Sequence, residues 1–371
     1  MNKNFKKLKK YLNENGMRFQ NNEKRTWKYI EEVFGEERTK KFSQIFDETY
    51  INENKTINTN RKYQFCKSFE EATTLMYFQS DWFLKNSNII QEDILMAKPK
   101  NVLELGCYTG IFSNYLTTIL DNTSITGVDI EDNLIKFGKN KFNDERLNLM
   151  CLDYKELNKL NKKYDYIFTN FGIEDIPDPK FNTYKIRKND NYNSQFKYFS
   201  NFFLYLNEVS EENTRFFCLA RISTIKSLLS MVDAANSMGW KWVSDDLEYI
   251  KHENESIPKL CFSKEKSEQI DLGKFINETL KLKNEDDNQL LQISKFENEK
   301  SKLKLLNKDS YKYEETDDEL FYEIYKHSNL YVLFAWTTLG YLRYKKFNTK
   351  VELVELFTKE TGLIIDVERI N

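Results

Sequence analysis

The chain has 371 residues, of which 40% are hydrophobic, 15% aromatic and 31% charged. So many aromatic residues are typical of a folded globular protein and exclude wholesale disorder. Lysine and arginine total 56 against 58 aspartate and glutamate, so a net charge of −2 provides no general attraction to nucleic acid or anionic lipid. The length predicts one large domain with extensions, or two domains.

The cysteine and histidine content argues against a structural metal. The five cysteines form no CxxC pair, and the only histidines are His252 and His327. No apolar run reaches the roughly 18 residues of a membrane span, and the N-terminus has no apolar signal-peptide core. We therefore expect a cytoplasmic protein with reduced thiols, no membrane partner and no metal.

The first 98 residues are predicted to be helical. Apolar residues recur at helical spacing in "TWKYIEEVFGEERTKKFSQIF" and in "FEEATTLMYFQSDWFLKNSNIIQEDILM". We expect residues 1–98 to lie beside the main domain and to act as a lid, as a substrate-binding region or as the surface through which a homodimer forms.

Residues 99–266 show short apolar runs that alternate with helical segments. The runs are "NVLELG", "ITGVDI", "LNLMCLD", "YDYIFTNFG" and "TRFFCLARI". Five successive βα units predict a doubly wound α/β domain with a parallel sheet. The last two runs, "WKWVSDDLEYIKH" and "IPKLCFSKE", are joined only by "ENES", which is too short for a parallel crossover. An antiparallel terminal hairpin should therefore complete a seven-stranded, mostly parallel sheet.

Residues 267–371 are predicted to form a charged linker followed by a helical C-terminal extension. The linker is glycine-poor and weakly periodic, as in "NQLLQISKFENEKSKLKLL". The tail regains apolar density in "DDELFYEIYKHSNLYVLFAWTTLGYLRYKKF", which we interpret as helices that pack on the main domain or form an interface.

The stretch "VLELGCYTG", residues 102–110, predicts a strand, a glycine turn and the start of a helix. This arrangement directs backbone N–H groups and the positive end of a helix dipole to the carboxyl edge of the sheet. A dinucleotide fingerprint would need glycines where this chain has Tyr108 and Ile111. Because Tyr108 would crowd a pyrophosphate, NAD is a poor candidate and a ligand without phosphates is favoured.

Two acids follow at the ends of the next two predicted strands. Asp129 lies about twenty residues after the turn, where a carboxylate can accept hydrogen bonds from both hydroxyls of a ribose. Asp153 ends the third strand and can accept from the exocyclic amine of a purine. An N-cap for the helix "YKELNKL" is the competing role of Asp153, and one residue can serve both.

In this order and spacing the motifs resemble those of the class I S-adenosylmethionine-dependent methyltransferase family. "ELGCYTG" matches its glycine motif, Asp129 its second-strand acid, Asp153 its adenine-side acid and "YDYIFTNFGIED" its fourth motif, so the resemblance covers residues 99–266. It implies S-adenosylmethionine as the cofactor and S-adenosylhomocysteine as its product. The tyrosine at position 108 departs from the glycine that the family often has. The resemblance further implies that the cofactor is bound by Glu104, Gly106, Cys107, Tyr108, Gly110, Asp129, Ile130, Asp153, Tyr154, Asn170 and Phe171.

Candidates for catalysis and acceptor binding lie in two polar segments. Glu174 and Asp175 follow the fourth strand beside the expected position of the methyl group. They are candidates to act as a base, to bind an amine or to hold a divalent metal, with solvated loop charges as the alternative. His252, at the turn of the terminal hairpin, is a further candidate base or an exposed residue. Tyr184 and Arg187 are candidate substrate contacts, with a solvated loop as the alternative.

The acceptor is predicted only as a class. The fourth strand is followed by "NFGI" rather than [D/N/S]PP[Y/F], and no cysteine follows a proline, so nucleic acid is disfavoured. The leading hypothesis is methyl transfer to an oxygen or nitrogen of a small metabolite or natural product. The alternatives are a peptide or protein methyltransferase whose helical extensions form a groove, an RNA methyltransferase, and a cofactor-binding regulatory module without turnover.

Overall fold

The computed structural model describes residues 3–19, 23–51, 61–173, 192–220, 222, 225–243, 249–251, 256–264, 296, 299–313, 319–337, 342–366 and 370. Within these residues the chain before the first strand is helical, as predicted. Its helices are α1 (Lys3–Glu14), α2 (Glu23–Phe34), α3 (Glu36–Ile51), α4 (Arg61–Gln64), α5 (Phe69–Leu75) and α6 (Ser80–Ala97), with a 3₁₀ turn at Met76–Gln79 before α6. None of the described helices is long and apolar enough to cross a membrane.

The central part of the chain alternates strands with helices. The strands are β1 (Asn101–Leu105), β2 (Ser124–Asp129), β3 (Leu147–Cys151), β4 (Tyr164–Asn170), β5 (Ser210–Leu219), β6 (Lys241–Trp242), β7 (Tyr249–Lys251) and β8 (Ser256–Ser263). The helices are α7 (Ile111–Thr117), α8 (Asp132–Lys141), α9 (Tyr192–Val209) and α10 (Ile225–Ser237), with a 3₁₀ helix at Tyr154–Leu160.

These strands form one sheet in the order β3-β2-β1-β4-β5-β8-β6, and the short β7 pairs with β8 off this path. The pairs among β1 to β5 are parallel, whereas β8 is antiparallel to β5, β6 and β7. The predicted doubly wound sheet with an antiparallel terminal hairpin is therefore confirmed. Because β1 lies between β2 and β4, the strand order reverses beside it, and this is the position where open α/β sheets bind ligands.

The sheet is covered on both faces. Along β1, Val102 packs into an apolar cluster with residues of α1, α6 and α7, while Leu103 packs into a second cluster with residues of α9 and α10. Alternate residues of a strand point to opposite faces, so both faces need apolar side chains. This requirement explains the nearly continuous apolar runs of the sequence.

An ion pair to a buried carboxylate fixes α6 to the sheet. Arg215 of β5 donates to Asp93 of α6 through Nε at 2.8 Å and through its terminal nitrogen at 2.6 Å. The hydroxyl of Tyr166 in β4 donates to the same carboxylate at 2.7 Å. Since Asp93 is only 5% exposed, its charge needs these partners. The N-terminal helical region is thereby anchored directly on β4 and β5.

The prediction of a helical C-terminal extension is wrong for residues 304–347. They form an antiparallel sheet in the order β12-β11-β10-β9, and one helix, α11 (Lys350–Thr361), follows it. The strands are β9 (Lys304–Lys312), β10 (Glu319–His327), β11 (Leu330–Thr337) and β12 (Leu342–Phe347). Residues 267–295 of the predicted linker lie outside the described residues.

Two apolar faces explain this error. One face of the C-terminal sheet buries Leu320 and Ile324 against α11, and the other buries Tyr325 and Phe334 against Phe296. Because both faces carry apolar residues, the alternation that identifies a strand is masked. The sequence feature that still pointed to a hairpin was the two-residue turn between His327 and Leu330, which are paired in the β10–β11 register.

Candidate active site

The glycine turn after β1 is held against the end of β2. The backbone N–H groups of Gly106 and Cys107 both donate to the carbonyl oxygen of Val128 at 2.9 Å. Gly106 has a φ of +74°, and a Cβ atom there would lie 3.0 Å from Cα of Gly172. The ends of β1 and β4 therefore approach closely through two glycines. Because neither glycine has a side chain and both are exposed, the backbone is accessible at the carboxyl edge of the sheet.

Tyr108 occupies the left-handed region with a φ of +59°. Its backbone N–H donates to Asp129 Oδ2 at 2.8 Å, and its hydroxyl donates to the carbonyl oxygen of Ala72 in α5 at 2.8 Å. Its ring lies edge-on to Tyr63, with 5.4 Å between the ring centroids. The side chain thus contacts the N-terminal helices, while the backbone keeps the turn that a glycine would make.

Asp129 ends β2 with both carboxylate oxygens engaged by the backbone. Oδ2 accepts from Tyr108 and Oδ1 accepts from the N–H of Glu131 at 3.0 Å. Burial raises the pKa of Asp129 to about 6, although these hydrogen bonds act in the opposite direction. A carboxylate offers about four acceptor positions, so Asp129 retains capacity for two further donors.

Glu104 lies beneath the turn and is 2% exposed. The Ser113 hydroxyl at the start of α7 donates to its carboxylate. Burial raises the pKa of Glu104 to about 8, and the Ser113 hydrogen bond opposes this shift. This contact ties the end of β1 to the start of α7 and involves Ser113, which the sequence reasoning missed.

Asp153 caps the 3₁₀ helix Tyr154–Leu160. Its Oδ1 accepts from the N–H of Lys155 at 3.0 Å, which is the capping role weighed from the sequence. Tyr154 packs against α9, with 5.7 Å between its ring centroid and that of Phe202. Capping leaves the second carboxylate oxygen of Asp153 available as an acceptor.

Asn170 and Phe171 lie where β4 ends. The side-chain oxygen of Asn170 accepts from Asn86 at 3.1 Å, and its side-chain nitrogen donates to Ser87 at 3.4 Å. Phe171 has a φ of +63° and its ring lies 5.9 Å from that of Trp82. Both residues therefore contact α6, which brings the N-terminal region to the end of β4.

A single cavity of about 520 Å³ connects these groups. This volume lies within the roughly 300–1,000 Å³ of small-molecule sites. Gly110 alone among the eleven predicted cofactor residues does not line the cavity; a Cβ atom there would lie 2.5 Å from Leu149, so this glycine permits packing. The ten that do line it are Glu104, Gly106, Cys107, Tyr108, Asp129, Ile130, Asp153, Tyr154, Asn170 and Phe171.

The N-terminal helices supply the opposite wall, which the sequence reasoning did not assign by residue. The Asn133 side chain of α8 donates to the carbonyl oxygen of Tyr63 at 2.8 Å and holds α4 beside the turn. The aromatic density of the N-terminal segments was the available signal, but it did not distinguish a cavity wall from a core. The lining residues from this region are Phe42, Phe46, Lys62, Tyr63, Leu75, Met76, Phe78 and Phe83.

The candidate catalytic and substrate residues lie outside the described residues. This holds for Glu174, Asp175, Tyr184, Arg187 and His252. Their assignments therefore stay predictions. Ile173, the last described residue before Glu174, is 2% exposed and lines the cavity.

Comparison with known proteins supports the predicted resemblance. Residues 102–185 match the family model described as a methyltransferase domain. This segment contains the glycine turn, Asp129, Asp153 and the end of β4. For residues 102–185 this match confirms the predicted resemblance to the class I S-adenosylmethionine-dependent methyltransferases.

The curated relatives match only short parts of the chain. A malonyl-[acyl-carrier protein] O-methyltransferase of Acetivibrio thermocellus is 33% identical over 70 residues, which are 19% of this chain and 24% of that protein. A ubiquinone biosynthesis O-methyltransferase of Coxiella burnetii is 33% identical over 91 residues, which are 24% of this chain and 38% of that protein. The chain thus spans well under two thirds of these relatives.

Solved structures show a similarly partial likeness. A crystal structure of magnesium protoporphyrin IX methyltransferase from Synechocystis with bound SAM is 12% identical, with a TM-score of 0.35. The match covers 48% of this chain and 78% of that structure. The fold assignment rests on the strand order β3-β2-β1-β4-β5-β8-β6.

Proposed function

We propose that the protein is an S-adenosylmethionine-dependent methyltransferase whose acceptor is an oxygen or nitrogen of a small molecule. The observation that carries this proposal is the common cavity lined by the glycine turn, Asp129, Asp153 and the end of β4. The match to a methyltransferase domain includes the same residues.

The lining residues fit the parts of S-adenosylmethionine. The glycine turn is open enough for an amino-acid tail to approach the backbone, since Gly106 is exposed. Asp129 has acceptor capacity for the ribose hydroxyls, and Asp153 for the adenine amine. Ile130 is 54% exposed and offers an apolar surface to a purine ring. The bound cofactor supplies a methyl group activated by a sulfonium.

The chain's own contribution is chiefly to position the reactants. Holding a donor and an acceptor in line accounts for roughly 7–11 kcal/mol of a barrier, so methyl transfer needs few catalytic groups. The N-terminal helices line the cavity beside the sheet edge with apolar side chains, which limits the water around the reacting groups. We propose Glu174, Asp175 and His252 as the candidate bases, and Tyr184 and Arg187 as acceptor contacts.

A small acceptor is favoured by the form of the cavity. Its volume of about 520 Å³ has to hold the cofactor as well as the acceptor, and helices α3 to α6 supply one wall. A peptide acceptor would instead call for a long open groove. The O-methyltransferase names of the two curated relatives agree with the proposal, within the short matched segments.

The experiment is a measurement of S-adenosylhomocysteine release by the purified full chain. Radiolabelled S-adenosylmethionine is incubated with a metabolite mixture and, separately, with a peptide library. The proposal predicts release and a labelled small molecule only with the metabolites. Release only with peptides would favour the peptide alternative, and cofactor binding without release in either mixture would favour a regulatory module.

A further inference from the structure

The wall of the cavity that faces away from the sheet is almost entirely apolar. Its side chains come from α3, α5, the 3₁₀ turn and α6, and four of the six apolar ones are phenylalanines. They are Phe42, Phe46, Leu75, Met76, Phe78 and Phe83. The end of β4 contributes Phe171 and Ile173 to the same cavity.

The aromatic part of this wall is fixed by packing behind it. Phe46 and Phe78 stack with 5.0 Å between their ring centroids and 28° between their planes. Trp27 of α2 lies edge-on to both rings at 5.5 Å, and Phe42 packs against Trp27 at 6.0 Å. Phe46 and Phe78 remain half-buried, so each retains an exposed surface. A ligand meets a preorganised aromatic surface and loses little entropy in ordering it.

Most of the charged lining groups come from the sheet edge and the segments that follow it; they are Glu104, Asp129, Glu131, Asp153 and Lys155. Glu104, Asp129 and Asp153 belong to the sheet edge that we assign to the cofactor. Lys62 is the only charged lining residue from the described N-terminal helices, and its Nζ lies 4.8 Å from the ring centroid of Tyr63, which itself packs on Tyr108. Apart from Lys62, the described N-terminal side of the cavity therefore offers surface without charge, and most of it is aromatic.

This separation of charge from aromatic surface restricts the acceptor. A peptide backbone or a phosphate placed against Phe46, Phe78 and Phe83 would lose water without gaining hydrogen bonds, which is costly. A planar apolar ring would instead pack on the exposed ring surfaces, and aromatic pairs add stabilisation beyond their buried area. The methyl-accepting atom of such a molecule can face the end of β4.

We propose that the compartment formed by Phe46, Phe78 and Phe83 binds the acceptor through a planar, apolar ring system. The acceptor class is thus a small aromatic molecule bearing a hydroxyl or amino group, rather than a peptide or nucleotide. This inference rests on the proposed function, because it assigns the remaining part of the cavity to the cofactor.

The test is equilibrium dialysis of 2-naphthol against the full chain saturated with S-adenosylhomocysteine. Decahydro-2-naphthol, which has the same carbon skeleton but is not planar, is the matched probe. We expect 2-naphthol to bind more tightly than the saturated alcohol, and F46A and F78A to weaken its binding about two- to tenfold. The control variant is Leu204→Ala on α9, where the leucine is 49% exposed, and it should not change the affinity for either alcohol.

The conservative variant F46L separates a ring contact from apolar contact in general. It should weaken 2-naphthol binding while leaving the saturated alcohol unchanged, and it remains informative if F46A does not fold. Calorimetric titration of each variant with S-adenosylhomocysteine reports whether the part of the cavity assigned to the cofactor is intact.

The outcomes separate this inference from the proposed function. Wild-type protein that does not bind S-adenosylhomocysteine would contradict the proposed function itself. Wild-type protein that binds it but shows no 2-naphthol binding, or equal binding in F46A and F78A, would overturn the aromatic compartment alone. Equal affinity for the two alcohols would overturn the requirement for a planar ring.

Discussion

Tyr108 joins the glycine turn to the N-terminal helices, and Tyr108→Phe tests how much this link contributes. The substitution removes the 2.8 Å hydrogen bond to the Ala72 carbonyl and keeps the ring. Such a bond contributes about 0.5–1.5 kcal/mol, so a loss near 1 kcal/mol should make local opening of α5 about fivefold more frequent. Hydrogen exchange of peptides covering residues 61–79, followed by mass spectrometry, measures this opening.

Tyr108→Gly provides the sharper contrast. Glycine relieves a left-handed backbone that costs other residues roughly 1–2 kcal/mol, but it also removes the ring that packs on Tyr63. We expect the glycine variant to exchange faster than the phenylalanine variant, because the lost packing outweighs the relieved strain. Tyr311→Phe, at a tyrosine 44% exposed in the C-terminal sheet, is the control. Unchanged exchange in both Tyr108 variants would refute the proposed link.

Three further predictions concern the charged groups. Asp129→Asn should lower affinity for S-adenosylhomocysteine at least tenfold, since charge-assisted hydrogen bonds contribute about 1.5–3 kcal/mol each. Because the pKa of Asp129 is about 6, wild-type affinity should decline below about pH 6 and that of the amide variant should stay level, as calorimetry from pH 5 to 8 would record. The pKa of Glu104 is about 8 in the folded chain and ordinarily 4.5. Between these two pH values the folded state therefore keeps the proton of Glu104, whereas the unfolded state has lost it. Stability should therefore fall between these pH values by up to about 1.4 kcal/mol per pH unit, and urea unfolding of Glu104→Gln should lack that decline. Arg215→Ala leaves the buried Asp93 carboxylate without its ion partner. Breaking such a pair lowers the free energy of unfolding by roughly 3–5 kcal/mol, and because Arg215 is 36% exposed we expect the lower end of this range in urea unfolding. Unchanged stability would contradict the anchoring role.

The parallel sheet was predictable because its signals are local. Each strand is a short apolar run, and turns and helices separate the runs at regular intervals. The C-terminal sheet was not predicted, because Leu320 and Tyr325 lie on opposite faces that are both covered. Their neighbours then show no alternation, and the tertiary packing that decides between strand and helix is absent from the local pattern.

The cofactor side of the candidate site was predictable for the same reason. Gly106, Asp129 and Asp153 lie at strand ends, where topology alone brings them to one edge of the sheet. The opposite wall depends on how α3 and α5 pack, and the spacing of Phe46 and Phe78 along the chain does not show that their rings stack. The direction of the Tyr108 side chain toward Ala72 and its left-handed backbone were equally hidden in the sequence.

The most direct test of the central claim is a calorimetric titration of the full chain with S-adenosylhomocysteine, with NAD as the competing ligand. The account predicts one site for S-adenosylhomocysteine, binding at least tenfold weaker in Asp129→Asn, and no measurable binding of NAD. Binding of NAD at this site, or no binding of S-adenosylhomocysteine by the wild-type chain, would contradict it.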